Sequence, residues 1–535
     1  MEFNIADLYE SIADAIGDRD AVVSGDKRLT FAELDTRANR LAHALSARGI
    51  GPGDHIGLYL FNGHEFIEAM LAAFKLRAVP VNINYRYVAD ELRYLCTNAD
   101  IKALLFNTSL AEQVAAIAAE VPTLRLLVRV ADETTGDGAL PGAVDYEDAL
   151  AAGSPVRDFP ARSGSDLYII YTGGTTGMPR GVLWRHEDMF YAGLQGGRPG
   201  GDPIGRPEEL ADVVREGAAL NILPAAPFIH GAAQWAAWIA LFSGGKCVIA
   251  PGRSFSPRTV LELVARERVT TITLVGDAMA RPIAEALAEP GASFDTSSLF
   301  VIASAGAVLS RTVLEALKAR LPDTMILNNF GASETGHQGT VYDSPTGEGP
   351  SAPRFSMDAT STVLGDDGKP ITPGSGTIGK LARSGHVPLG YYKDPEKTAQ
   401  TFVALDGVRW VIPGDLATIE ADGRITVFGR GAVCINTGGE KVFPEEVEQA
   451  LKAHPEVLDA VVVGVPDPRW GERVAAIVQP RPGFRPTLAA LDPALRKQIA
   501  GYKVPRELHL VEQVVRHPSG KPDYRWAKSI ALGSH

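Results

Sequence analysis

The eleven residues Tyr-Thr-Gly-Gly-Thr-Thr-Gly-Met-Pro-Arg-Gly at 171–181 have the composition of a polyphosphate cradle. Glycines let a backbone come close to a ligand and present its N–H groups. Threonine hydroxyls add donors, and Arg180 adds a permanent positive charge. Thr172, Gly173, Gly174, Thr175, Thr176 and Arg180 are therefore candidate phosphate-binding residues. The apolar run at 167–171 reads as a buried strand feeding this loop. No Gly-Lys-Ser/Thr follows at the spacing of a Walker A loop, and the glycines do not form the GxGxxG turn of dinucleotide folds.

Other residues along the chain have complementary chemistry. Ser304, Ala305, Gly306 and Ala307 end an apolar strand and leave room for a flat base against backbone. In Asn-Asn-Phe-Gly-Ala-Ser-Glu-Thr at 328–335, Phe330 can stack on that base and Ser333 can hydrogen-bond a phosphate oxygen. Glu334 supplies the hard oxygen that Mg2+ prefers when it bridges phosphates. Asp415, after Gly414, can accept both hydroxyls of a ribose, as acidic residues do in dinucleotide folds. Arg430, in Phe-Gly-Arg-Gly at 428–431, can bring a guanidinium near the same sugar. Each Gly-Asp or Gly-Arg pair alone is an ordinary turn; the pairing gives them meaning. Lys521, in His-Pro-Ser-Gly-Lys at 517–521, is a cation on a Ser-Gly stem. An ammonium there can offset negative charge that builds up in a reaction.

In this order, the motifs resemble those of the adenylate-forming superfamily: acyl-CoA synthetases, luciferases and adenylation domains. The family loop commonly reads Tyr-Thr-Ser-Gly-Thr-Thr-Gly-x-Pro-Lys-Gly. Gly173 replaces its serine and Arg180 its lysine, while Phe330 and Ser333 replace the tyrosine and threonine of the family's Tyr-Gly-x-Thr-Glu. The resemblance runs from near residue 25 to near residue 530 and is greatest to bacterial fatty- or steroid-acid CoA ligases. It implies ATP, Mg2+ and coenzyme A, with a carboxylic acid activated as acyl-AMP and passed to the thiol. The alternative is an acyl-AMP ligase that loads a carrier protein. The resemblance further implies catalytic roles for Lys521, Glu334 and His230, the last in an aromatic or histidine gate at 227–231. It implies metal contacts from Glu334 and Thr176, and nucleotide contacts from Gly306, Ala307, Asn329, Phe330, Gly331, Ser333, Asp415 and Arg430. It also implies that Gly438, Gly439 and Lys441 belong to a loop lining the pantetheine tunnel and that Ala432 occupies the hinge.

The elements around these residues alternate. Apolar runs at 56–60, 78–82, 219–223, 247–250, 270–275, 299–303 and 325–328 read as strands. Between them, 65–74, 232–242, 257–266, 278–287 and 311–320 read as helices, and Phe31, Leu34, Ala38, Leu41 and Leu45 recur at helical spacing. This rhythm predicts an α/β fold of doubly wound sheets, with ligands beyond the carboxyl ends of the strands. From about 360, short strands and glycine turns predict a small β-rich subdomain. After Gly431, a helix beginning at Pro444, strands at 459–465, 473–480 and 507–511, and a helix at 487–500 predict a mobile α+β domain. The expected division is 1–430 and 431–535. The stretch 193–217, rich in Gly, Pro and charge, reads as a surface insertion.

Composition narrows the partners. The chain is 45% hydrophobic and 22% charged, as in globular proteins, and its net charge of −12 argues against nucleic acid or an anionic membrane as main partner. Three scattered cysteines, Cys96, Cys247 and Cys434, form no CxxC pair and suit a reducing compartment. The first residues carry no basic segment followed by an apolar core, so the expectation is a cytoplasmic protein with no integral membrane part. A homodimer is left open.

Overall fold

Three sheets organise the chain in a computed structural model, which describes residues 1–132, 140–172, 178–307, 309–342, 354–437, 440–468, 470–517 and 520–533. In the second sheet, the strands His55–Tyr59, Val79–Asn82, Ile101–Asn107 and Leu126–Val130 run parallel. Leu167–Thr172 joins them alongside Val79–Asn82, and Arg180–Arg185 returns antiparallel, so residues 173–177 link two hydrogen-bonded strands. In the first sheet, Ile222–Pro224, Thr271–Leu274, Val301–Ala305 and Met325–Ala332 are parallel neighbours with their carboxyl ends at one edge.

Local chemistry explains the helices between them. Phe31–Ser46 starts with a capping box: Glu33 N donates to Thr30 Oγ1 at 3.2 Å and Thr30 N donates to Glu33 Oε2 at 2.9 Å. Its Phe31, Leu34, Ala38, Leu41 and Leu45 face the core. A further helix, Ile5–Ile16, was not anticipated. Asn4 caps it, accepting from Ala6 N at 3.0 Å, and Ile5, Leu8, Tyr9, Ile12 and Ile16 form a buried stripe. That cap and periodicity were present in the sequence.

One expectation changes. The stretch 193–217 is not a solvated insertion: it contains the helix Glu209–Glu216, whose Leu210 and Val214 are fully buried in the main core, as is Ile204. Glycine, proline and charge mask an amphipathic turn too short to stand out. The expected β-rich subdomain is present and is joined to the first sheet. Gly336–Tyr342 and Arg354–Met357 join it edge to edge to the parallel strands, although Phe355, Val363, Leu381, Ala417 and Ile425 form a core of their own.

From Ile435 a third sheet begins, in which Val457–Asp467 and Gly471–Pro480 form a long antiparallel pair and Glu507–Leu510 adds in parallel. Among the described residues, its apolar clusters draw on none before Ile435. The helix expected at 487–500 is shorter, Leu488–Leu495, capped by Thr487. Among the described residues no helix is long and apolar enough to cross a membrane.

Candidate active site at the strand ends

The carboxyl ends of the parallel strands bring together loops from distant parts of the sequence. Pro224 leads to the loop carrying His230, Leu274 to Val275 and Gly276, Ala305 to Gly306, and Ala332 to Ser333 and Glu334. Gly306 has φ +79°, a left-handed conformation suited to glycine, and is exposed. The turn beside it is tied down: Gly276 N donates to Ser304 Oγ at 3.0 Å, and Ser310 N to Asp277 Oδ1 at 2.7 Å.

Ser333, Glu334 and Thr335 form the turn between the antiparallel strands Met325–Ala332 and Gly336–Tyr342, not a helix start. Two groups aim Glu334. The indole Nε1 of the buried Trp184 donates to Ser333 O at 2.9 Å, and Tyr391 OH donates to Glu334 Oε1 at 2.9 Å. Asn329 is held across the hairpin by Thr340 Oγ1, which donates to its Oδ1 at 2.8 Å. Phe330 packs against Phe355 with ring centroids 5.1 Å apart. A Cβ on Gly331 would run into the carbonyl of Gly336, so this glycine closes the hairpin. Gly336 sits equally tightly on Ala192 and Ala233 is buried, whereas Ala232, Gly306 and Gly331 are exposed.

Asp415 is buried at the start of the strand Asp415–Ile419, register partner of Arg430 on Ile425–Arg430. Thr172 pairs with Arg180 at the mouth of the glycine–threonine loop. Arg180 is not left facing the loop alone: its Nε donates to Asp394 Oδ2 at 2.9 Å, and Asp394 also caps the helix Pro395–Thr401. Gly173, Gly174, Thr175, Thr176, Gly438 and Gly439 lie outside the described residues, as do the side chains of Arg430, Ala432 and Lys441.

The last loop reaches this edge from the third sheet. A Cβ on Gly520 would lie 2.8 Å from Val275 Cγ1, and a Cβ on Gly306 would lie 4.0 Å from the same atom. The exposed Lys521 therefore follows a residue seated at the end of the strand Thr271–Leu274. Arg516 supports the loop: its Nη1 donates to Gly520 O at 3.1 Å, while Nε and Nη2 bond the two oxygens of Asp459 at 2.8 and 2.7 Å. Burial opposes charge on Asp459, but these bonds hold its carboxyl below the usual range. His517 N donates to Lys521 O at 2.8 Å and Gly520 N to His517 O at 2.8 Å, while Pro518 and Ser519 lie outside the described residues. Lys452 Nζ adds an ion pair at 3.6 Å to Asp277. Neither Asp277, Lys452 nor Tyr391 had a local sequence signal. Each acts through a partner far along the chain.

Glu445 lies where the first and third sheets meet. A Cβ on Gly429 would lie 2.5 Å from its Oε2, and that oxygen is sealed from solvent with no hydrogen-bond partner, although the residue as a whole is half-buried. Burial, then the nearby Glu448 and Asp415 carboxylates, push its pKa up to about 8, with the Tyr524 hydroxyl working the other way. A raised folded pKa favours the protonated form, so this contribution to stability is complete below the unfolded value of 4.5 and fades as pH rises through about 8. The melting temperature of the wild type relative to Glu445→Gln should therefore fall across that window. A difference independent of pH would contradict the assignment.

The sequence model of the AMP-binding enzyme family matches residues 9–392, and that of the AMP-binding enzyme C-terminal domain matches 446–521. A medium/long-chain-fatty-acid–CoA/3-oxocholest-4-en-26-oate–CoA ligase of Mycobacterium tuberculosis is 48% identical over 99% of this chain and 96% of its own. A 3-oxocholest-4-en-26-oate–CoA ligase of Rhodococcus rhodochrous is 47% identical over the same shares. Among solved structures, ATP-bound MatB from Rhodopseudomonas palustris superposes with a TM-score of 0.80 at 26% identity, covering 99% of both chains. The chain belongs to the AMP-binding enzyme family, as an AMP-forming acyl-CoA synthetase. The α/β architecture predicted from strand–helix alternation is the family's fold.

Proposed function

We propose that the protein joins a medium- or long-chain fatty acid, or the side-chain acid of a steroid, to coenzyme A at the expense of ATP. The acid oxygen attacks the α-phosphorus, the bond to pyrophosphate breaks, and acyl-AMP forms. The thiolate of coenzyme A then attacks the acyl carbon, the bond to AMP breaks, and AMP leaves. The observation that carries this reading is the approach of Gly520 and Gly306 to one side chain, Val275. It brings the Lys521 loop to the edge where the family places the nucleotide.

In this reading, residues 172–176 and Arg180 hold the phosphates, and Gly306, Ala307, Asn329, Phe330 and Gly331 frame the adenine. Asp415 and Arg430 take the ribose, and Ser333 takes a phosphate oxygen. Lys521 holds the acid carboxylate against the α-phosphate, and His230 borders the acid. Gly438, Gly439 and Lys441 line the way in for the thiol. The boundary falls at 430/431 with the hinge at Ala432. A Mg2+ ion would rest on Glu334, with Thr176 beside it. An ion shared between one protein carboxylate and nucleotide phosphates fits the oxygen preference of Mg2+. When bound, it would neutralise charge on the pyrophosphate leaving group.

The acid preference follows the relatives and is tested by following coenzyme A-dependent AMP release with acetate, benzoate, octanoate, palmitate and a cholestenoic acid. Each buried methylene contributes about 0.8 kcal/mol, so palmitate should exceed acetate in kcat/KM by more than about 1,000-fold. A preference for benzoate or acetate would reject the substrate class.

A further inference from the structure

Three carboxamides, those of the buried Asn82 and Gln234 and the half-buried Asn62, hold the loop that carries His230. Asn62 Oδ1 accepts from Phe228 N at 2.7 Å, and its Nδ2 donates to Ala226 O at 3.2 Å. Gln234, buried in the otherwise apolar helix Gly231–Phe242, donates from Nε2 to Phe228 O at 2.6 Å and accepts from Tyr168 OH. Asn82 donates from Nδ2 to Ile229 O at 2.6 Å, adjacent to His230.

Asn82 has a second set of contacts. Its Oδ1 accepts from Tyr171 N at 2.8 Å and its Nδ2 donates to Tyr171 O at 2.9 Å. This two-point clamp imitates a sheet pairing. It extends the contact between Val79–Asn82 and Leu167–Thr172 beyond their register pair Val81 and Ile169. Tyr171 lies two residues before the glycine run at 173–177, and Asn82 is only 5% exposed. One fully engaged amide thus joins the root of the phosphate loop to the backbone that sets His230. With both donors and one acceptor lone pair committed, it cannot follow one partner without pulling on the other.

We propose that Asn82 is a positioning residue that couples the nucleotide and acid sites, so that phosphates seated in the loop fix His230 for the incoming acid. This rests on the reading that ATP occupies the 171–181 loop and the acid lies beside His230. A side chain that only stabilised the fold would lower melting temperature and leave the mutual influence of the two ligands unchanged.

The test is calorimetric titration of the full-length enzyme with palmitate, with and without α,β-methylene-ATP, which cannot release pyrophosphate. The analogue should tighten palmitate binding to the wild type by at least about 5-fold, the lower range of site-to-site coupling. Asn82→Ala should bring that ratio to about 1. Asn82→Asp keeps the acceptor for Tyr171 N and serves if the alanine variant does not fold. It should lack coupling while ionised and regain it at a pH low enough to restore one donor. Absence of coupling in the wild type, or coupling retained in both variants, overturns the proposal. His230→Ala separates the two ideas. If it leaves palmitate affinity unchanged, the reading of the acid site has failed. If it weakens palmitate while the Asn82 variants remain coupled, the fault lies with Asn82 alone.

Discussion

Lys521→Ala should slow pyrophosphate release from acid and ATP by about 100- to 1,000-fold, the usual effect of removing one preorganised group from a developing negative charge. Thiolysis of supplied acyl-AMP should continue near the wild-type rate. The reason is positional. Arg516, anchored on Asp459, grips Gly520 O, and Gly520 sits against Val275 beside Gly306. On the proposed reading, an ammonium delivered there would meet the reacting phosphate and would have no task once acyl-AMP exists. The Lys521 side chain is exposed, so the variant should fold normally. Quenched-flow measurement of the two half-reactions decides the matter: equal loss in both would remove Lys521 from the adenylation step.

The second large effect is expected at Glu334. Glu334→Gln should cut adenylation by about 100-fold or more and raise the KM for MgATP. The glutamine carbonyl can still accept from Tyr391 OH, and Trp184 still holds Ser333 O, so the turn should persist. Removing a buried charge should leave the melting temperature unchanged or higher, since a carboxylate loses hydration on burial. A variant with a lower melting temperature and an unaltered KM for MgATP would mark Glu334 as a structural residue instead.

Much of this was readable from residue order alone. The strand–helix alternation gave the parallel sheets, because near-continuous apolar runs flanked by helices have few other ways to be buried. The glycine–threonine loop, Glu334, Asp415 and Lys521 stood out because their motifs resemble those of the adenylate-forming superfamily in the same order, and their roles remain part of the proposal. What was hidden depends on pairings between distant residues. Asn82 and Tyr171 are separated by 89 positions, and Arg180 and Asp394 by 214. Nothing near Tyr391 indicates that its hydroxyl will meet Glu334. The buried helix Glu209–Glu216 was obscured for a different reason: a two-turn element buries too few apolar residues to dominate its composition. The Ser333–Thr335 turn was ambiguous because a polar triplet caps a helix as readily as it closes a hairpin.

The enclosed Glu445 oxygen has a mechanical corollary. Seating the small lobe strips water from a carboxyl that receives no second bond in exchange. Departure of the lobe would rehydrate that group and let it shed its proton. Were that domain to rotate as proposed, this contact would favour a shallow resting place, readily vacated between the two half-reactions.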